Sequence, residues 1–158
     1  MDSTDRVMTF IKENGLNADI KILAPDSTRT SASAAQTLGC SVAEIAKTIG
    51  FISSDSKCIL IVLSGEKRVS LKKVSLELDL DPSQIRKMSA QETKEMTGYS
   101  IGGVPPFPHI DGLISLVDRS LFQFGNVWAA AGSPNSVMKI DPKILIEKLK
   151  MRQVDVSE

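Results

Sequence analysis

Two apolar, β-branched runs, residues 48–53 and 58–63, are separated by only four polar residues, Ser54-Asp55-Ser56-Lys57. Runs of that length around so short a polar break read as a β-hairpin. The remainder of the chain has to wrap this hairpin. Residues 20–23, 113–117, 127–131 and 137–140 have strand-like composition. Helical segments lie between them. One starts near Ser3 or Thr4 and stops at Asn14-Gly15; another follows Thr30 and stops at Gly39. Ser41-Val42-Ala43-Glu44 and Ser89-Ala90-Gln91-Glu92 are capping boxes that open further helices, the first of which runs into Lys47. Helices are also expected from Ser70, as a short turn at Asp81-Pro82, and after Asp141-Pro142. Strands and helices alternate irregularly, which predicts a mixed α/β fold: a curled mixed sheet, or a barrel-like core, surrounded by helices. With 158 residues, the chain is expected to form a single domain over residues 1–152, with residues 153–158 as a flexible tail.

Composition removes several functional classes. Nineteen basic residues balance nineteen acidic ones, so the cationic excess of a non-specific nucleic-acid coat is missing. A local basic patch is still compatible with this balance, since residues 47–94 hold nine basic against six acidic residues. The longest apolar run, residues 58–63, is far too short to cross a bilayer, and the N-terminal residues lack a signal-peptide pattern. The expected location is the cytoplasm, with no membrane partner. Cys40, Cys58 and the single histidine, His109, are isolated and make a poor metal-ligand set, so neither metal nor cofactor is expected. The GxSxG, P-loop and GxGxxG signatures are absent.

Three segments carry residue choices that a fold without a task would not need. In Ala46-Lys47-Thr48, a lysine stands between a capped helix and a core strand. It reads either as a surface lysine with a buried stem or as an anchor for phosphate or carboxylate. The stretch from Gly98-Tyr99 through Gly102-Gly103-Val104-Pro105-Pro106 to Pro108-His109 combines adjacent glycines with stiffening prolines. Such a loop can bring backbone groups against a ligand, or can simply connect a helix to a strand. Ala131-Gly132-Ser133-Pro134-Asn135 offers hydroxyl and amide groups at a strand end, where an ordinary turn explains them equally well.

Taken together, in this order and spacing, the three segments resemble the YbaK/EbsC family of aminoacyl-tRNA deacylases, which are related to the editing domain inserted in prolyl-tRNA synthetases. The resemblance spans roughly residues 20–149. It implies a YbaK-like fold and hydrolysis, without a covalent protein nucleophile, of the ester between a small amino acid and tRNA. It also implies roles for particular residues. Lys47 would sit near the tRNA 3′ end, and Gly102 and Gly103 would present backbone groups to the ester. Thr30, Ser31, Tyr99, Pro106, Gly132, Ser133 and Asn135 would border the substrate. His109 would orient water or ribose, or would be a structural loop residue. Relatives often carry glycine at the position of Pro108, and proline has no N–H to donate there. The implied partner is the acceptor end of aminoacyl-tRNA, and a synthetase is a further candidate; oligomeric state stays open. Two other function classes stay open from the sequence: a non-catalytic module that binds the tRNA acceptor end or an aminoacyl-nucleotide alongside a synthetase, and an interaction domain with a vestigial pocket.

Overall fold

The computed structural model describes residues 2–158. It contains α1 (Ser3–Glu13), β1 (Ala18–Ile22), α2 (Ser31–Leu38), β2 (Ile45–Ser53), β3 (Cys58–Ser64), α3 (Leu71–Leu78) and β4 (Ile85–Lys87). These are followed by α4 (Ala90–Thr97), β5 (Ile114–Asp118), β6 (Val127–Ala130), β7 (Ser136–Ile140), α5 (Lys143–Glu147) and β8 (Arg152–Val154). Local chemistry explains most helix boundaries. Asp2, Thr30, Ser70 and Ser89 each accept a backbone N–H with their side chain at an N-terminus. Gly39 and Gly98 close α2 and α4 in the left-handed conformation.

All eight strands join one mixed sheet in the order β1-β7-β6-β2-β3-β5-β8, with β4 branching from β2. The hairpin read from residues 48–63 is its centre, with Ile49 opposite Ile61 and Phe51 opposite Ile59. Ile59, Ile61, Val62 and Leu63 are wholly buried. Parallel pairs β2–β6, β3–β5 and β5–β8 flank antiparallel ones, so the mixed α/β class is present. One core packs α1 and α5 against one face, around Val7, Tyr99, Met138 and Leu145. A second lies under α3, around Val74, Leu116 and Val156, and a small third lies under α2, around Ala34, Ala35 and Ile45. No described helix is long and apolar enough to cross a membrane.

Three expectations need correction. Residues 153–158 are not a loose tail. β8 lies parallel to β5, Val154 and Val156 are buried, and Ser157 bridges Val69. The buried Asp118 carboxylate accepts hydrogen bonds from Val156 N (2.8 Å) and Ser157 Oγ (2.8 Å), which fastens the segment to the end of β5. Alternation of Val154 and Val156 with polar neighbours is the strand period in miniature. The second correction concerns Lys47. The capping box at Ser41 opens only a 3₁₀ turn, Val42–Glu44, so Lys47 is the third residue of β2 and not a helix–strand junction. The third is β4, a strand of three residues that the sequence pattern did not reveal.

Strand β2 changes partners along its length, and this opens the sheet. It pairs with β6 only at Ile45↔Trp128 and Ala46↔Ala129, and with β4 only from Phe51 to Ser53. Between these contacts, its edge from Lys47 to Ile49 has no strand beside it.

Candidate functional site

A cleft of about 140 Å³ occupies this opening. Its floor is formed by Ala46, Lys47 and Thr48 of β2 and by Trp128, Ala129 and Ala130 of β6. The N-terminal end of α2 supplies Thr30 and Ser31 on one side, and Gly102 and Val104 close another. Most of the lining is small or apolar, with a few polar groups among it, as in a site for a small organic group.

Lys47 is half-buried in the floor. Its Nζ donates only to the carbonyl of Gly65, at 3.4 Å, and among the described residues no carboxylate pairs with it. Burial, and then the positive charges of Lys87 and Arg68, hold its pKa below the ordinary lysine value. An anion beside the ammonium would offset both effects by favouring its charged form. Beside it, Thr48 Oγ1 is buried with no hydrogen-bond partner. Such an orphan costs about 1–3 kcal/mol.

The glycine loop divides in two at the cleft. Gly102, at φ +86°, borders the open space, and a Cβ there would meet nothing within 4 Å. Gly103 faces the other way. A Cβ on it would stand 2.8 Å from the carbonyl carbon of Ser133, and its own carbonyl accepts the Gly132 N–H at 3.2 Å. The glycine loop and the loop after β6 are therefore pressed together backbone to backbone. Asn135 is committed elsewhere, since its Nδ2 donates to Leu23 O (3.0 Å) and its carbonyl accepts from Leu23 N (2.8 Å). Ser133 Oγ donates within its own turn to Ser136 Oγ at 2.7 Å.

Lys47, Gly102, Thr30 and Ser31 thus converge on the cleft, although the Thr30 hydroxyl is engaged in capping α2. Gly103, Gly132, Ser133 and Asn135 buttress the wall from behind, and only Pro134 and Ser136 of that turn reach the space. Tyr99 is fully buried; its OH donates to Pro108 O at 3.2 Å, and the Arg6 guanidinium lies 4.7 Å over its ring. Pro106 and His109 line a separate hollow with Phe10 and Phe107. His109 Nε2 contacts Pro105 O at 2.7 Å, and burial, partly opposed by that contact, lowers the imidazole pKa. Sequence reasoning missed Trp128 and gave the Thr48 side chain no separate role. Both become visible only once β2 and β6 are set side by side. Among the described residues, no cluster of ligating side chains could hold a metal ion.

Comparison with known proteins places this geometry in a family. The aminoacyl-tRNA editing domain model matches residues 25–148, which take in the cleft floor, the glycine loop and the turn after β6. An uncharacterized protein of Bacillus subtilis, YwhH, is 36% identical over 121 residues, covering 77% of this chain and 75% of that protein. The crystal structure of hypothetical protein APE2540 superposes with a TM-score of 0.90 at 32% identity, over 97% of this chain and 99% of that one. A crystal structure described as that of a candidate trans-editing enzyme for prolyl tRNA synthetase superposes with a TM-score of 0.89 at 31% identity, over 100% and 98% of the two chains. The chain belongs to the aminoacyl-tRNA editing domain family.

Proposed function

We propose that this protein is a trans-editing hydrolase that cleaves the ester joining a small, mischarged amino acid to the 3′-terminal adenosine of tRNA. One observation carries the reading: Lys47, a half-buried cation without a carboxylate partner, stands in the floor of a cleft lined mostly by small and apolar residues. Its ammonium would hold the terminal phosphate or ribose, while the Gly102 backbone borders the ester carbonyl. Among the described residues, the cleft lining offers hydroxyls but no histidine, cysteine or carboxylate to activate them. That favours direct attack by water over a covalent intermediate. Water adds to the carbonyl carbon, the bond to the ribose oxygen breaks, and that oxygen takes a proton. The neighbouring ribose hydroxyl is the nearest group able to relay it. Rate enhancement then rests on positioning and electrostatics.

The likeness to the prolyl system supports tRNA charged by prolyl-tRNA synthetase as the first substrate to test. Apolar pockets separate ligands differing by one methylene by only ~1–3 kcal/mol, so the amino acid is an experimental question. The test is a deacylation panel with alanyl, seryl, threonyl, cysteinyl and prolyl esters of tRNA. Release of at least one well above the uncatalysed rate is expected. Acceptor-end binding without release of any would instead support a non-catalytic binding module.

A further inference from the structure

The single tryptophan of the chain, Trp128, lines the cleft, half-buried against Ala34, Ala35 and Ile45, with cations over its ring. Lys21 Nζ lies 5.2 Å and Lys139 Nζ 6.0 Å from the indole centroid. Register explains the grouping. Trp128 pairs with Lys139, and Lys21 pairs with Val137, two residues before Lys139, so all three side chains project from one face of the sheet. Ile45, opposite Trp128 on β2, puts Lys47 on that same face. Lys21 and Lys139 are exposed, and among the described residues neither is in an ion pair; Asp19, opposite Lys139 in register, does not close one.

We propose that Trp128, Lys21 and Lys139 form the docking platform for the unpaired 3′ end of the RNA, with a base stacked on the indole and the two ammoniums on flanking phosphates. This rests on the aminoacyl-tRNA reading above and extends it from the ester to the nucleotides that precede it. The ammoniums that lie over the indole in the free chain would move to phosphates as a base takes the ring, which combines the two elements of single-strand binding, base stacking and counterion release. A duplex would hide its base faces from the indole, which selects the single-stranded end. The platform adjoins the cleft, as a ligand whose last residue enters the cleft requires.

Because Trp128 is the only tryptophan, its fluorescence reports binding directly. The experiment titrates the full chain with an unacylated, single-stranded RNA hexamer ending in CCA, across a series of salt concentrations. Saturable quenching that weakens with salt is expected. Lys21→Ala/Lys139→Ala should bind roughly tenfold more weakly and lower the log–log salt slope by about 1.4, the share of two single-strand phosphate contacts. Lys12→Ala/Lys57→Ala should behave like the wild type. No quenching, or quenching that neither salt nor the Lys21/Lys139 pair alters, overturns the platform. The probe carries no ester, so the two proposals separate. Ester hydrolysis without quenching leaves the editing reading and removes the platform; quenching without hydrolysis of any ester does the reverse.

Discussion

Gly103 and Ser133 touch through their backbones: the place a Cβ would occupy on Gly103 is 2.8 Å from the Ser133 carbonyl carbon. Through this contact the glycine loop and the turn after β6 form one wall of the cleft. Gly103→Ala must push the two loops apart, so it should cost about 1–3 kcal/mol of stability and lower turnover with it. Gly102→Ala meets no atom and pays only for its positive φ, about 1 kcal/mol. Thermal denaturation alongside deacylation rates distinguishes the two. A Gly103 variant as stable as the wild type would show that the loops are not pressed together.

The Asp118 carboxylate ties the C-terminal segment to β5. Burial pushes its pKa up, but hydrogen bonds from Ser120, Val156 and Ser157 outweigh burial and leave it below the ordinary value. A depressed carboxylate stabilises the fold above its unfolded pKa of about 3.9, and that contribution is lost as pH falls through the folded value. Acid unfolding should therefore begin with release of β8 below about pH 4. Asp118→Asn should lose about 1.5–3 kcal/mol at neutral pH and show a flatter acid limb. Hydrogen exchange at Val154 and Val156 is the measurement; unchanged protection in the variant contradicts the latch.

His109 lines the hollow beside Phe10 and Phe107 and not the cleft. Burial lowers its pKa, the bond to Pro105 O raises it, and Arg6 lowers it further, for a net shift downward. Below about pH 6.5 the unfolded chain takes up a proton that the folded chain resists. Stability should therefore fall as pH drops from 6.5 toward the folded pKa, and level off beneath it. His109→Gln should remove that slope in chemical denaturation curves while leaving kcat at neutral pH within a few-fold of the wild type. A large loss of kcat with no change in the slope would place His109 in the chemistry.

How much of this the sequence disclosed follows from how local each signal is. Caps at Thr30, Ser70 and Ser89, the stops at Gly39 and Gly98, and the central hairpin are fixed by neighbours a few residues away, and they stand where the sequence puts them. Strands β4 and β8 have three residues each and exist because distant segments pair with them; β4 shows no local period, and the Val154/Val156 alternation at β8 is too short to announce a strand by itself. The site divides in the same way. Lys47 and Gly102 were legible from their motifs. Trp128 was not, because only the pairing of β6 with β2 and β7 brings it beside the cleft and its two lysines. Tyr99, Pro106 and His109 share the motif with Gly102 but do not line the cleft: Tyr99 is buried in the core, and Pro106 and His109 line a separate hollow.

Lys47 bears most of the functional account. Its ammonium has no carboxylate to lose and is disfavoured by burial, so Lys47→Ala should leave the melting temperature unchanged or slightly raised. Deacylation of the best ester in the panel should fall on the order of ten- to a hundredfold, the worth of one charge-assisted contact. Lys47→Arg should recover only part of it, because a planar fork does not replace a compact ammonium in a confined floor. Lys57, which pairs with Asp55 in the hairpin turn, is the matched control. The decisive measurement is the ratio of deacylation rates of Lys47→Ala and Lys57→Ala on the same aminoacyl-tRNA: the account predicts that Lys47→Ala is at least tenfold slower, and equal, near-wild-type rates would contradict it.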